Sequence, residues 1–349
     1  MTTYAGPRTT APSTLARCRA TVEPALRAAV ESLHPQPRRM ASFSFGWCDA
    51  DGTPTAGPGG KGVRQALAVL ATEAVGAPAE PGVAAAVAVE LIHTFSLVHD
   101  DVMDGDERRR HRDTVWKAFG TGPAVLAGDA LFALGVQTLA GAGGQHGAEA
   151  VGRLAGTLGD LVHGQADDLL FESRPWTGPG AVGIPEYRAM ADRKTGALLG
   201  CAMTLGPVLA GAAPPVVAAL SEAGRRLGLA FQAVDDLLGI WGDPRTTGKP
   251  VHSDLRRRKK TLPVLAAMAL DSTAAEHLTR LLGSPEPLSS ADAAAASAIV
   301  EAAGGREFTM KDARRQVTAA YDCLDSVRLV EGARDELVAL SAYLLERRV

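Results

Sequence analysis

Long apolar segments with helical spacing follow one another along this chain, and no strand-length run alternates apolar with polar residues. Prolines stand where first helical turns would begin, at Pro81, Pro185 and Pro214. Aromatic residues make up only 5% of the chain while Ala, Gly, Leu and Val dominate, which favours closely packed helices over a β-sandwich. We therefore predict an all-α protein.

No change in composition marks a boundary between domains. Residues 1–12 are small, polar and proline-containing, without the apolar core of a signal peptide, so we predict a disordered tail. One all-α domain is predicted over residues 13–349, with a loop rich in proline and glycine at Pro35–Gly60. Helices are predicted near residues 13–34, 81–103, 122–140, 146–172, 185–210 and 214–241, with about four shorter ones over 262–348.

Charge, cysteines and hydropathy exclude several classes of protein. The net charge of −3 gives no reason to expect nucleic acid or an anionic membrane as a partner. The cysteines lie far apart, without zinc-site spacing or a dense disulfide pattern, which indicates reduced thiols and a cytoplasmic protein. No run of about 18 apolar residues escapes interruption by charge, glycine or proline, so no transmembrane segment is expected.

A cluster of acidic residues ends an apolar helix that includes Val83–Val98. Asp100 and Asp104 are four residues apart, so on a helix they share one face and repel each other unless a cation joins them. Mg²⁺ is such a cation, because it prefers oxygen ligands and combines one or two carboxylates with substrate phosphates. A solvated helix end with excess acid would explain this cluster equally well on its own.

A second pair of aspartates, Asp235 and Asp236, ends another long apolar helix. Two apolar helices that each end in an Asp-Asp pair are difficult to explain as coincidence. If the two helices pack side by side, both pairs face the mouth of one cavity. Together the pairs indicate a metal site at the rim of an apolar interior.

Basic residues follow each acidic cluster, at Arg108–Arg112 and at Arg256–Lys260. Arginine pairs with phosphate oxygens through two donors, and lysine acts as a point charge for them. The runs lack interleaved aromatic residues, which argues against a nucleic-acid surface. A glycine-rich segment upstream, Gly59–Arg64, adds two cations without the spacing of a Walker loop. Carboxylates, a metal and basic side chains around one site describe a diphosphate pocket.

Several short motifs occur in a specific order along the chain. They are Gly60–Arg64, Glu90–His99, Asp100–Asp104, Gly164-Gln165, Lys194–Ala197, Phe231-Gln232, Gly248–Pro250, Ser253–Leu255 and Lys259–Pro263. In this order they resemble the trans-type isoprenyl diphosphate synthases, the polyprenyl synthetase family. One such motif would be weak evidence, whereas the ordered series is highly specific and spans nearly the whole chain after residue 13.

The resemblance implies a fold, a reaction and a cofactor. The fold is a bundle of antiparallel helices around a deep central cavity, usually in a homodimer. The reaction condenses isopentenyl diphosphate with an allylic diphosphate (C5 to C15) through Mg²⁺-assisted ionisation, condensation and elimination. The implied residues for three Mg²⁺ ions are Asp100, Asp101, Asp104, Asp235 and Asp236.

The resemblance also assigns residues to the two substrates. Those implied to bind the allylic diphosphate are Arg109, Lys194 and Lys259, with Lys249 as a further basic residue in a substrate-binding motif. Those implied to hold isopentenyl diphosphate are Lys61, Arg64, His93 and Arg110. Thr195 and Gln232 would lie near the developing allylic cation. The implied catalytic set is Asp100, Asp104, Arg109, Lys194, Thr195, Gln232, Asp235 and Lys259.

Four positions depart from the family pattern. Gly239 stands where the second aspartate motif often has a third aspartate. His111 and His252 each replace a usual glycine, and Gln65 replaces a usual proline. These departures concern phosphate contacts and turnover rather than the type of reaction.

Product length is expected to depend on Phe95, which lies about 7.5 Å deeper along the helix than Asp100. On its own it would be an ordinary core phenylalanine as readily as a site residue. In the family this position forms part of the cavity floor. A large ring here beside the small Ser96 resembles geranylgeranyl (C20) synthases, and a farnesyl (C15) product is the alternative.

Two other functions stay open. A class I terpene cyclase also ionises an allylic diphosphate, but it has no second diphosphate for Arg64 and His93 to bind. A non-catalytic subunit that modulates a synthase is the other, and the intact Asp100, Asp104 and Lys194 argue against it.

Overall fold

The structure, a computed structural model, describes residues 10–55, 60, 62–142, 144–248, 250–284 and 286–345. Helices form almost all of the regular structure in these ranges, and their strands are the two-residue segments Arg108–Arg109 and Arg112–Asp113. The predicted all-α class is therefore confirmed.

The helices and strands follow the chain in this order. The first are α1 (Ala11–Glu31), α2 (Pro35–Ser44), α3 (Val63–Ala74), α4 (Ala79–Met103), β1 (Arg108–Arg109), β2 (Arg112–Asp113), α5 (Val115–Phe119) and α6 (Thr121–Gly141). A 3-10 turn (Gly144–His146) precedes α7 (Gly147–Ser173), α8 (Ile184–Ala191), a π-helical segment (Asp192–Gly196), α9 (Ala197–Leu209) and α10 (Pro214–Trp241). The last are α11 (Pro244–Thr247), α12 (Ser253–Arg256), α13 (Leu262–Leu270), α14 (Ser272–Leu282), α15 (Ser290–Ala302), α16 (Gly305–Asp325) and α17 (Glu331–Leu345).

One predicted loop is partly helical. Pro35–Ser44 forms α2, so the loop prediction for Pro35–Gly60 is wrong over this stretch. Pro35 occupies the first helical turn, where its missing N–H leaves no hydrogen bond unmade. Met40 and Phe43 are buried, so packing stabilises a helix whose sequence has too many prolines to indicate one.

α1 begins two residues earlier than the sequence indicates. The Thr10 hydroxyl accepts from the backbone N–H of Ser13, and the Ser13 hydroxyl accepts from that of Thr10. This reciprocal cap starts the helix at Ala11. The first nine residues of the predicted tail lie outside the described ranges.

Contacts divide the chain into two compact units. The first unit comprises the described residues of Met1–Ala155, Leu199–Ser221 and Leu324–Ser341. The second comprises those of Gly156–Leu198, Glu222–Cys323 and Ala342–Val349. The single domain with a central cavity that the sequence suggested therefore stays a prediction.

Close helix packing forms the core of the first unit around α4. Leu91 and Ile92 of α4 are fully buried, as is Leu131 of α6. A Cβ on Gly135 would lie 3.1 Å from Ile92 Cδ1, and a Cβ on Gly128 would lie only 2.1 Å from His99 Nε2. These two glycines let α6 approach α4 more closely than larger residues would.

Two clusters of buried side chains form the core of the second unit. One includes Phe171, Val182, Tyr187, Met190, Val234 and Leu262. The other includes Ile240, Leu255, Val264, Leu278, Leu282 and Val300. The first cluster surrounds the C-terminal part of α10, where the second aspartate pair lies.

Among the described residues, α4 and α6 are long and apolar enough to cross a membrane. Of their most apolar windows, 61% in α4 and 39% in α6 are buried within the protein. Core helices meet the same criterion, so neither helix shows a membrane span. The low burial of α6 instead marks an apolar helix face that this chain alone leaves exposed.

Candidate active site

The first aspartate cluster lies at the C-terminal end of α4, where the helix dipole disfavours acids that lack a cation. Asp100 and Asp104 are partly exposed, whereas only 4% of Asp101 is exposed. Arg109 donates to Asp101 Oδ1 from Nε at 2.8 Å and lies 2.7 Å from it through Nη2. Asp101 therefore has a counter-charge within the protein, and solvent reaches Asp100 and Asp104.

A tight hairpin turn directly follows Arg109, the residue that contacts Asp101. Arg109 in β1 pairs with Arg112 in β2, and Arg110 and His111 form the turn between them. The turn residues have φ of 51° and 65°, the left-handed region that glycine adopts most easily. His252 has φ of 61°. His111 and His252, which replace glycines of the family pattern, therefore both have a left-handed backbone conformation.

Cationic side chains from three segments of the first unit meet near Gly60. Arg64 Nη1 lies 3.1 Å from His93 Nε2. Arg110 Nη1 lies 3.1 Å from the position that a Cβ on Gly60 would take. Arg19 of α1 donates to the Gly60 carbonyl. The structure thus brings together Arg64, His93 and Arg110, three of the residues predicted to hold isopentenyl diphosphate.

Burial and neighbouring charges set the protonation states in this cationic cluster. Burial, followed by Arg64 and Arg110, holds the pKa of His93 well below its usual value, so its ring is neutral near pH 7. Burial also raises the pKa of Glu90, which is 9% exposed. The arginines and the Gln65 amide oppose that increase. Gln65 stands where the family that the sequence resembles usually has a proline. Its amide therefore donates to the buried Glu90 carboxyl group.

Phe95 lies in a group of aromatic rings between α4 and α6. Its ring centroid is 4.8 Å from that of His99 and 5.6 Å from that of Phe132. The neighbouring Ser96 hydroxyl donates to the carbonyl of His93 at 2.9 Å. Phe132 of α6 thus supplies a second large ring beside the residue predicted to limit product length.

In the second unit, Lys194 and Thr195 lie in the π-helical segment Asp192–Gly196. Such segments occur frequently at functional sites. A Cβ on Gly164 of α7 would lie 2.4 Å from the Lys194 backbone nitrogen. A Cβ on Gly228 of α10 would lie 2.4 Å from the Cα of the segment's last residue. Backbone contact with α7 and α10 therefore fixes the segment.

An ionic network holds the start of the π-helical segment. Arg225 of α10 donates to Asp192 from Nη2 at 2.6 Å and from Nε at 3.1 Å. It also donates to Asp160 of α7 from Nη1 at 3.2 Å. The backbone that carries Lys194 is thus joined by charged groups to both neighbouring helices.

Asp168 brings together two of the predicted diphosphate-binding lysines. Its Oδ2 lies 2.5 Å from Lys194 Nζ and 4.0 Å from Lys259 Nζ. Gln165, one turn earlier in α7, has both amide atoms buried without a hydrogen-bond partner. Because buried amides normally have partners, the Gln165 amide fits a site that a polar substrate group completes.

The second aspartate pair lies on α10 with one member partly exposed and one buried. Asp235 is partly exposed, whereas only 4% of Asp236 is exposed. Asp236 accepts from the Tyr187 hydroxyl, from Gln232 Nε2 at 2.9 Å and from the Leu262 N–H at 2.8 Å. Burial raises the pKa of Asp236 to about 7, although these three hydrogen bonds oppose the increase.

The two aspartate pairs share one arrangement. In each pair the second aspartate is buried and bonded to protein donors, whereas the first is partly exposed. The metal roles of Asp101 and Asp236 therefore stay predictions. The pairs belong to different units, so a common cavity mouth stays a prediction as well.

Gly239, where the second motif often has its third aspartate, packs against another carboxylate. A Cβ on Gly239 would lie 2.0 Å from Asp254 Oδ2. The neighbouring Ser253 hydroxyl donates to the Gly239 carbonyl at 3.1 Å. The space that an aspartate side chain would need at position 239 is thus filled by Asp254.

No three His, Cys, Asp or Glu side chains of the described residues are arranged as a metal site. Mg²⁺ does not require such a group, because it keeps several waters and shares substrate phosphates. Asp100 and Asp104 offer carboxylate oxygens one helical turn apart, which is the donor type that Mg²⁺ prefers. These residues therefore fit the ion.

Some site residues lie outside the described ranges, and others belong to none of the sequence motifs. Lys61 and Lys249 belong to the first group. Asp168 could have been noticed, because it lies four residues after Gly164 and hence on the same helix face. No sequence signal links Arg19 or Tyr187 to the site, since each acts through a contact far along the chain.

Comparison with known proteins identifies the family that this chain resembles in sequence and structure. The sequence model of the family described as "Polyprenyl synthetase" matches residues 47–300. A (2E,6E)-farnesyl diphosphate synthase of Mycobacterium tuberculosis is 42% identical over 331 residues, 94% of this chain and 90% of that protein. A geranylgeranyl diphosphate synthase of the same organism is 43% identical over 335 residues, which are 95% of this chain and 93% of that protein. The crystal structure of a polyprenyl synthetase from Streptomyces coelicolor A3(2) has a TM-score of 0.88 at 48% identity, covering 95% of this chain and 98% of that one.

Proposed function

The chain belongs to the polyprenyl synthetase family and is a trans-prenyltransferase, and we propose that it extends allylic diphosphates with isopentenyl diphosphate to geranylgeranyl diphosphate (C20). The observation that carries the condensation is that the first unit offers two different ways to hold a diphosphate. Asp100 and Asp104 would hold one through Mg²⁺, and the cationic cluster around Arg64 and His93 would hold the other directly. An enzyme that joins two diphosphates needs both.

The cationic cluster suits isopentenyl diphosphate. Arg64 and Arg110 supply fixed guanidinium donors, and the neutral His93 ring accepts from Arg64. Lys61 would add a further cation. Holding the second substrate in line with the first lowers the entropic part of the barrier.

The allylic diphosphate would lie at the aspartates with Arg109, Lys194 and Lys259, and with Lys249 as a further cation. Mg²⁺ ions, three per site, would be held by Asp100, Asp104 and Asp235 and would neutralise the negative charge that develops on the leaving diphosphate. Asp168 keeps Lys194 and Lys259 near one point. Both ammonium groups can therefore stabilise the same leaving group.

The allylic cation needs a polar neighbour and protection from water. The Thr195 hydroxyl and the Gln232 amide are joined by a 2.8 Å hydrogen bond and lie next to Lys194 in the fold. We assign them to the carbon from which diphosphate departs. The apolar side chains of α4 would exclude water from the growing chain.

Product length is assigned to the rings of Phe95 and Phe132. Their centroids lie 5.6 Å apart, and Phe95 is followed by the small Ser96. A large ring beside a small residue, as in the resemblance to geranylgeranyl synthases, supports C20, with farnesyl diphosphate (C15) as the second candidate. The relatives do not decide between them, because a farnesyl and a geranylgeranyl synthase are 42% and 43% identical to this chain.

A homodimer is proposed because the surface of α6 is unusually apolar. Leu126 is 65% exposed, Val125 38% and Phe132 37%. A second copy of the chain would cover these side chains. All four cysteines are free thiols, which fits the reducing cytoplasm that we propose as the compartment.

The proposed reaction is tested by incubating the purified protein with Mg²⁺, isopentenyl diphosphate and each of the C5, C10 and C15 allylic diphosphates. Mass spectrometry should find a C20 diphosphate and loss of isopentenyl diphosphate. Accumulation of a C15 product with all primers would favour the farnesyl synthase. Hydrocarbon release without loss of isopentenyl diphosphate would identify a terpene cyclase, and no product would identify a non-catalytic subunit.

A matched pair of variants tests the cationic cluster in the same assay. Arg64→Gln should raise KM for isopentenyl diphosphate at least about tenfold, because it removes a charge-assisted donor. Arg153→Gln, which breaks a surface ion pair with Glu149, should leave both KM values unchanged. An equal effect on KM for the allylic substrate would argue against separate diphosphate sites.

A further inference from the structure

A buried tyrosine outside all of the sequence motifs ends a chain of hydrogen bonds. Tyr187 of α8 is 3% exposed and packs among Met190, Val234 and Leu262. Its hydroxyl donates to Asp236 Oδ2. Burial of the hydroxyl and the nearby carboxylate raise the pKa of Tyr187 well above its usual value, so it remains a donor.

The chain continues from Asp236 to Thr195. Gln232 Nε2 donates to Asp236 Oδ1 at 2.9 Å, and Gln232 Oε1 accepts from the Thr195 hydroxyl at 2.8 Å. The four residues come from α8, α10 and the π-helical segment, all within the second unit. The Leu262 N–H is a further donor to Asp236, at 2.8 Å.

The donors around Asp236 set the direction of the bonds in the chain. Tyr187 and the Leu262 N–H both donate to Asp236 Oδ2, and Gln232 donates to Oδ1 from Nε2, so its NH₂ group faces Asp236. Its carbonyl oxygen then faces Thr195, whose hydroxyl must donate. The lone pairs of the Thr195 oxygen are then available to a positively charged carbon. With the opposite direction, the hydroxyl hydrogen would face that carbon and repel it.

We propose that Tyr187 is a positioning residue that, through Asp236 and Gln232, orients the Thr195 hydroxyl towards the developing allylic cation. This rests on the proposed function. Asp236 accordingly serves the hydrogen-bond chain, and Asp235, the exposed member of the pair, serves the metal. The two neighbouring aspartates thus have different roles, which explains why one is buried and the other is not.

A double-mutant cycle between Tyr187→Phe and Thr195→Val tests the proposal. Tyr187→Phe should lower kcat about tenfold and leave both KM values unchanged, because it disturbs charge stabilisation and not binding. In the Thr195→Val background the same substitution should have no further effect on kcat. Tyr343→Phe, a hydroxyl deletion on α17, should match the wild type. Losses that multiply in the double variant would overturn the proposal.

A second variant covers the case in which Tyr187→Phe does not fold. Gln232→Leu removes the central link at a position that is only partly buried. It should lower kcat without raising either KM and should also show no further loss with Thr195→Val. Thr195→Ser keeps the hydroxyl and should retain most of the activity. Full activity in Gln232→Leu would contradict the proposal.

Metal binding gives a readout that does not need turnover. Thermal unfolding is followed while Mg²⁺ is added in the presence of inorganic diphosphate. Asp236→Asn should need the same Mg²⁺ concentration as the wild type for half of the stabilisation, and Asp235→Asn about tenfold more. Equal weakening would make Asp236 a ligand and overturn the proposal. A wild type that binds Mg²⁺ and diphosphate but forms no product would overturn the proposed function instead.

Discussion

At the scale of single residues, neighbouring side chains with the same formula take different roles because their surroundings differ. Asp235 and Asp236 are adjacent in sequence, yet the first is partly exposed and the second is buried with three protein donors around it. The sequence predicts that a helix ends in two acids, but it cannot show which is buried. That depends on Tyr187 and Leu262, which are 49 and 26 residues away from Asp236.

The neutral state of His93 predicts how stability depends on pH. Its pKa is well below 6.5 in the folded protein and ordinary in the unfolded chain, so the unfolded chain binds more protons below about pH 6.5. The contribution of His93 to stability should therefore fall as pH decreases from 6.5 to 5, by at most about 1.4 kcal/mol per pH unit, whereas Asp236, whose pKa burial raises to about 7, contributes with the opposite sign. His93→Gln should reduce that slope in urea unfolding, and an unchanged slope would contradict the assignment.

Restoring the third aspartate of the second motif should be harmful. In Gly239→Asp the new side chain would meet Asp254, and we expect a loss of about 1 to 3 kcal/mol in the free energy of unfolding, with lower kcat. Asp254→Ala in the same chain should recover most of the stability. Chemical denaturation measures both. Normal stability in Gly239→Asp alone would show that Asp254 can move aside.

Phe95→Ala should lengthen the product beyond that of the wild type, for which C20 is proposed, because it removes a ring from the predicted cavity floor. Phe132→Ala should act in the same direction, and the two together should exceed either one. Phe119→Ala, which removes a ring that packs on Phe43, serves as the control. Mass spectrometry of the products decides, and an unchanged distribution in both single variants would place the floor elsewhere.

At the scale of elements, helix ends with local signals were predictable and those that depend on distant contacts were not. Pro214 and the apolar spacing predict a helix over residues 214–241, and α10 has these bounds. The π-helical segment Asp192–Gly196 was predicted as ordinary α-helix. Its geometry arises where Gly164 and Gly228 touch its backbone, and those contacts join residues far apart in sequence. The Lys194-Thr195 motif was visible, but not the backbone that presents it.

Two glycines of α7 should therefore have opposite effects on stability when each is replaced by alanine. Gly164→Ala would place a Cβ 2.4 Å from the Lys194 backbone, where the neighbour cannot yield, and should cost about 3 kcal/mol or more of stability. Gly159→Ala on the same helix has no atom within 4 Å and should gain about 0.5 to 1 kcal/mol. Denaturant unfolding compares them. Equal effects would rule out a specific contact at Gly164.

At the scale of the whole molecule, the exposed face of α6 is the feature that a single chain does not explain. The sequence shows that α6 is apolar, but it cannot show how much of that surface the fold leaves open. Less than half of its most apolar window is buried, although α4, of similar hydropathy, is mostly buried. Exposed apolar side chains, where they form one patch, normally mark a contact with another protein.

Charge placed on this face should separate the proposed dimer. Leu126→Glu should halve the mass measured by light scattering, because the side chain is 65% exposed in one chain and would be desolvated in two. Leu270→Glu, at a leucine that is 59% exposed on α13, should leave the mass unchanged. A wild type that is monomeric across the concentration range would contradict the proposal.

The buried Glu90 changes the charge count of the cationic cluster. Among the described residues of the cluster, Arg19, Arg64 and Arg110 contribute three positive charges, the neutral His93 none, and ionised Glu90 subtracts one, which leaves a net charge of about +2 before Lys61 is counted. Because burial raises the pKa of Glu90, this acid takes up a proton more readily than an exposed glutamate does. Each proton that Glu90 takes up adds one positive charge to the cluster without any movement of the arginines.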